Sequence, residues 1–241
     1  MPSGSGDFPN TRWSLVLDCR AENHQARESA LAELCSLYWY PLYAFVRRSG
    51  HSALDAEDLT QGFFCQLIGN QQLTSSAEQS KGRLRTYLLR SLQNFIINEW
   101  RRETAEKRGG AARVISIDTD GADHRYADEP YSTETPEVLF EKRWATEVMD
   151  RAFEKVRQEY DQDGKPHFFE SLKNVFGKSK SRVPYSRIAA DLEIPESTAR
   201  VAAFRLRKRV RQALRAEIAD TVATEAEIDE EMAQLQEILL K

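Results

Sequence analysis

The chain has 241 residues, 30% of them charged, with a formal net charge of −4 and a mean hydropathy of −0.60. That length suits one large or two small domains, and no run nears the ~18 apolar residues of a membrane span. Cys19, Cys35 and Cys65 are widely spaced, odd in number and without a CxxC pair. They read as reduced thiols of a cytoplasmic protein and leave no cluster for a structural zinc.

The net charge alone does not suggest a nucleic-acid partner; its distribution does. Lys81, Arg83, Arg85, Arg90, Arg101, Arg102, Lys107, Arg108 and Arg113 face only Glu99, Glu103 and Glu106 within 79–113, and 178–215 is similarly basic. The stretch 116–141 and the tail from Glu217 are acidic, so two basic blocks alternate with two acidic ones.

In chain order, MPSGSGDFPNTRW lacks a basic-then-apolar leader; residues 1–12 read as an arm and WSLVLDC (13–19) as a short helix. Leu31, Leu34, Cys35, Tyr38, Leu42 and Phe45 recur at three- and four-residue steps, predicting a helix over 26–48 that Pro41 kinks or divides. Ser52-Ala53-Leu54-Asp55 is a capping start for a helix to Ile68, with Ala56, Leu59, Phe63 and Leu67 inward. Asp55, Asp58, Gln61 and Gly62 are assigned to its outer face. Helix capping alone also accounts for those acids.

The polar stretch 69–82 is long enough for a binding loop. Leu84, Tyr87, Leu88, Leu92, Phe95, Ile96 and Trp100 then form the apolar stripe of a helix whose other side carries Arg83, Arg90, Asn94, Asn98, Arg101 and Arg102. A strand of nucleic acid fits such a side, phosphates on arginines and bases on amides or terminal aromatics; so does an ordinary basic surface. The pattern then fails, and 109–137 reads as an acidic linker. Helices are predicted over 138–160 and 167–176, with a basic loop at 177–184.

Tyr185–Val210 reads as two short helices about a tight turn. Ile188, Ala189 and Leu192 face Ala199, Ala202, Ala203 and Leu206, while Arg200, Phe204 and Arg205 fall on another face. This is the pattern of a helix-turn-helix. The turn position usually given to Gly carries Glu193, which at positive φ costs about 1 kcal/mol. The acidic tail keeps an apolar stripe and predicts one or two helices.

Taken together, DAEDLTQGFF (55–64), GRLRTYLLRSLQNFIINEWRRE (82–103) and IAADLEIPESTARVAAFRLRKRV (188–210) resemble a bacterial RNA polymerase sigma factor of the extracytoplasmic-function type. The resemblance covers roughly 27–107 and 138–216. It implies an all-α chain of two small domains, an N-terminal helical bundle at 27–108 and a helix-turn-helix domain at 138–216, joined by the linker 109–137 and flanked by 1–26 and the tail 217–241. It further implies that Asp55, Asp58, Gln61 and Phe64 grip core RNA polymerase. Arg83, Arg90, Asn94, Asn98 and Arg101, with a base pocket in the loop 69–82, would capture the minus-ten strand. Thr198, Arg200, Phe204 and Arg205 would read the minus-thirty-five element of promoter DNA. An anti-sigma factor or regulatory kinase is a further implied partner; no cofactor, catalytic residue or membrane insertion is. The tail lies outside the resemblance; one expectation is that it packs on or masks a basic DNA-binding face, and the other is that it is a stabilising helical appendage or dimer contact. A polymerase-independent helix-turn-helix regulator remains an alternative, though it leaves the helices at 55–68 and 84–100 without a task. An enzyme is disfavoured, because His51, Asp55, Glu57 and Asp58 lack a second histidine and no phosphate loop or nucleophile–base pair exists.

Overall fold

The computed structural model describes residues 24–69, 83–106, 122–127, 133–176, 183–219, 221–222 and 224–240. The arm and short helix expected before residue 20, the loop 70–82, most of 109–132 and the loop at 177–182 lie outside the described residues. Within them the chain is all-α, as expected. The helices are α1 (His24–Arg48), α2 (Ala53–Gly69), α3 (Leu84–Glu106), α4 (Ala122–Ala127), α5 (Pro136–Gln162), α6 (Pro166–Leu172), α7 (Tyr185–Asp191), α8 (Glu196–Ala219) and α9 (Glu225–Leu240). A 3₁₀ turn, Lys173–Phe176, follows α6. None of these helices is long and apolar enough to cross a membrane.

Two compact units result: one gathers the chain up to Thr146 together with Ala219–Lys241, the other is Glu147–Ile218. The division falls inside α5.

In the first unit α1 packs on α2, and both meet α3. Every residue from Leu37 to Val46 is buried, so this stretch of α1 is covered all round rather than along one stripe. Pro41 sits within that stretch, and the helix runs through it unbroken. The ring removes one backbone hydrogen bond, but the apolar surroundings on every side hold the helix together, so the expected division is absent.

The start of α2 is capped as the sequence predicts. Ser52 Oγ accepts from the Asp55 backbone N–H at 3.1 Å and donates to Asp55 Oδ2 at 2.7 Å. Farther along, Trp39 stacks on Phe64 at 5.5 Å between centroids, and Phe63 meets Phe95 edge-on at 6.1 Å. Gly62 is part of this contact and not of the outer face: a Cβ there would lie 3.1 Å from Phe95 Cζ. The glycine lets α3 approach closely.

Short as it is, α4 is held on α1 by its side chains. The Arg125 guanidinium lies 3.8 Å over the Tyr40 ring, and Tyr126 meets Tyr43 edge-on while lying under Arg47 at 4.9 Å. The expected linker therefore contains a docked helical turn.

The second unit is built on the later part of α5, whose Val148, Ala152, Val156 and Tyr160 are buried. Phe153 meets Phe176 at 4.8 Å and Phe169 at 6.4 Å, closing α6 and the 3₁₀ turn onto it. Pro166 starts α6 at its first turn, and His167 Nε2 lies 3.2 Å from the Asp191 carbonyl at the end of α7.

Candidate nucleic-acid interface

The helix-turn-helix forms where the small-residue pattern predicts it. Ile188, Ala189 and Leu192 are buried, as are Ala199, Ala203 and Leu206 of α8. The turn between α7 and α8 is a Schellman closure. The Glu193 N–H donates to the Ala190 carbonyl at 3.2 Å and the Ile194 N–H to the Ala189 carbonyl at 3.0 Å. Glu193 takes φ 53°, the left-handed conformation that this closure demands. Its carboxylate thus stands where a glycine carries no steric penalty.

Small residues on the inner side of α8 leave its outer side to the polar ones. Thr198, Arg200, Phe204 and Arg205 are all exposed, with Phe204 at 67%. Arg200 is held loosely by Glu196 one turn earlier, at 2.6 Å, and lies 5.1 Å over the Tyr185 ring. Arg205 makes no hydrogen bond or ion pair with any described residue. Thr198, Val201 and Arg205 border a groove whose other wall includes Tyr160, Lys165 and Phe168. Burial pushes the Tyr160 phenol above its ordinary pKa. Val201, half exposed beside Thr198, was not singled out in the sequence; an apolar residue between two polar contacts of α8 gives no periodic signal of its own.

In the first unit, α3 presents a polar face of Arg90, Asn94, Asn98 and Arg101, all exposed. At 1.5 Å per residue they span about 16 Å on successive turns. Ile97 is exposed within this face, and Trp100 beside it is 65% exposed. The sequence pattern assigns Trp100 to the inward stripe, yet its side chain is largely exposed, and Phe95 is the last buried residue of the stripe among the described residues. An exposed indole among arginines and amides offers a stacking surface as well as charges.

Arg83 stands apart from the other four. It precedes the first helical residue of α3 and is tied to α9: its Nε lies 2.7 Å from Glu231 Oε2, its Nη1 donates to Gln234 Oε1, and its Nη2 lies 3.8 Å from Glu230. Arg85, two residues on, is 3% exposed. It donates to both oxygens of Glu231, at 2.6 and 3.0 Å, pairs with Glu141 and lies 4.4 Å over the Trp144 ring. Of the basic block, Arg85 is therefore internal and Arg83 partly so. The Leu84 N–H, an unpaired donor at a helix start, is taken up by the Thr221 carbonyl at 3.3 Å.

On α2 the four residues expected to grip polymerase divide. Asp55 and Asp58 are exposed and Gln61 half-buried. Phe64 is fully buried under Trp39 and Phe63, so its ring touches no partner in this conformation and serves instead to seat α2 on α1. The exposed apolar residue of that face is Leu54, at 68%, on the same helical side as Asp58 and Gln61.

Among the described residues no group of His, Cys, Asp and Glu is arranged to hold a metal ion. Residues 38–106, from within α1 to the end of α3, match the family model of sigma-70 region 2. No curated protein and no solved structure matches the chain.

Proposed function

We propose that this protein is a sigma factor of the extracytoplasmic-function type, which binds core RNA polymerase and directs it to promoters as an initiation factor, not as an enzyme. The observation that carries the reading is the conjunction of two halves in one chain. A match to sigma-70 region 2 spans α2 and α3, and a helix-turn-helix with an exposed, arginine-bearing second helix follows in the other unit.

In this reading α2 meets the polymerase through Asp55, Asp58 and Gln61, with Leu54 as the apolar centre of the contact. The face of α3 carrying Arg90, Asn94, Asn98 and Arg101 takes the separated minus-ten strand, with Arg83 at its edge and the loop 69–82 supplying a base pocket. Arg200, Phe204 and Arg205 enter the major groove of the minus-thirty-five element, and Thr198 near the start of α8 meets a phosphate. The energetics favour such a division of labour. Opening a duplex costs roughly 1.4 kcal/mol per base-pair step, and a chain without nucleotide chemistry recovers that cost only by binding the separated strand. Two DNA-binding modules on one chain raise each other's effective concentration when both sites are engaged.

The matching experiment is co-elution of the chain with core RNA polymerase. The chain co-elutes, and reversing the charge at Asp55 and Asp58 together abolishes the complex while leaving duplex-DNA binding in place. Duplex binding by a wild-type chain that never associates with polymerase would instead establish the helix-turn-helix regulator.

A further inference from the structure

The acidic C-terminal helix is poorly described as an appendage or a cover. We infer that α9 is a positioning element of the strand-binding unit, and that Glu231 and Gln234 hold Arg83 with one edge of its guanidinium turned outward for a phosphate. The inference rests on the reading that α3 faces a single strand.

Three features separate positioning from masking. First, the anchor is buried. Glu231 is 1% exposed and Arg85 3%, and they share a two-pronged hydrogen bond. A cover has to leave, and leaving here breaks that two-pronged pair and gives up the burial of both groups. Second, the two arginines are held differently. Arg85 is enclosed by Glu231, Glu141, Gln234 and the Trp144 ring. Arg83 keeps a 26% exposed side chain, with Nε on Glu231 and Nη1 on Gln234. Among the described residues its remaining nitrogen, Nη2, has the 3.8 Å contact to Glu230, itself 69% exposed and easily displaced. A guanidinium fixed along one edge and open at the other is ordered before its ligand arrives. Third, the same C-terminal segment caps α3, because the Thr221 carbonyl accepts the first N–H of that helix, from Leu84. The tail therefore orders both the start of α3 and the arginine that precedes it.

Neighbouring carboxylates then have opposite effects. Glu231 helps a strand to bind by aiming Arg83; Glu230 opposes it by competing for Nη2. The test uses the full chain and a fluorescent single-stranded oligodeoxynucleotide of mixed sequence, titrated over a range of salt. Glu231→Gln is expected to bind about two- to tenfold more weakly, the cost of ordering a long side chain at the moment of binding. Its plot of log affinity against log salt is expected to keep the wild-type slope, because the same phosphate contact still forms once Arg83 is ordered. Glu230→Gln is expected to bind up to about twofold more tightly, as for loss of an exposed ion pair. Thermal melting shows whether each variant is folded. Should Glu231→Gln fail to fold, Gln234→Leu removes the other oxygen on Arg83 and carries the same expectation. Tighter or equal binding by Glu231→Gln beside a binding wild type overturns the inference, since that is the behaviour of a mask. A wild-type chain that leaves the oligonucleotide unbound overturns the single-strand reading and this inference with it, and is recognised by that silence.

Discussion

The two arginine-rich helices, α3 and α8, look alike in sequence and are used differently. At the start of α3, Arg83 and Arg85 are taken by a carboxylate that lies 146 residues beyond Arg85 in the chain, and only the later turns of the helix present their cations outward. On α8, Arg200 pairs with a neighbour one turn away and Arg205 with no described residue. A basic run is thus two kinds of material. Some of its charge is internal structure, bought by an acid elsewhere in the chain, and some is surface available to an anion. Local density does not distinguish them; burial and partner do.

That contrast is broken most severely at Arg85. Arg85→Ala takes the cation from Glu141 and leaves Glu231 with Arg83 alone, and a buried pair broken on one side costs about 3–5 kcal/mol. Chemical denaturation is expected to register a loss of that size. A loss of a few tenths of a kcal/mol would place Arg85 among ordinary surface charges and erase the distinction. Arg205→Ala is the counterpart on α8. It is expected to leave stability unchanged and to weaken duplex promoter binding by about 1–3 kcal/mol, with relaxed preference at one base position, as for loss of a base contact. Competition binding against altered duplexes reads both. The smallest effect has the opposite sign: Glu193→Gly relieves the left-handed strain at the Schellman closure and is expected to raise stability by about 1 kcal/mol, measured as a higher unfolding midpoint.

Most of the fold was legible in the sequence, and the exceptions have physical causes. Three- and four-residue spacing of apolar side chains located α2, α3, α5 and α8, since one buried face leaves that mark. The Ser52–Asp55 cap and the strained Glu193 turn were legible because caps and tight turns are local chemistry. The central stretch of α1 misleads, because a helix buried on all sides has no periodic face and Pro41 within it suggests a break. Phe64 was given to the polymerase contact by the resemblance rather than by spacing, and its burial is invisible to one-face periodicity, because α2 is contacted on two sides and both Phe63 and Phe64 lie inside. Trp100 fits the apolar spacing yet is largely exposed, so spacing alone does not tell a covered position from an open one. The docking of α9 left no local trace at all. An acidic amphipathic helix reads the same whether its carboxylates meet water or two arginines far back in the chain.

Of the polar faces, those of α3 and α8 were legible because their residue types and spacing are local. Which arginines at the start of α3 remain outward was not, because that depends on α9.

The central claim, that one chain combines a polymerase grip with two DNA contacts, is tested most directly by transcription with purified components. Core RNA polymerase from the same source is mixed with the full chain and a genomic library of promoter fragments, and transcript starts are mapped. The account predicts starts that depend on the chain and share two sequence elements upstream, with Arg205→Ala altering the distal element alone and a combined Arg90→Ala and Asn94→Ala change impairing the proximal one. Chain-independent starts, or starts sharing no paired elements, would contradict it.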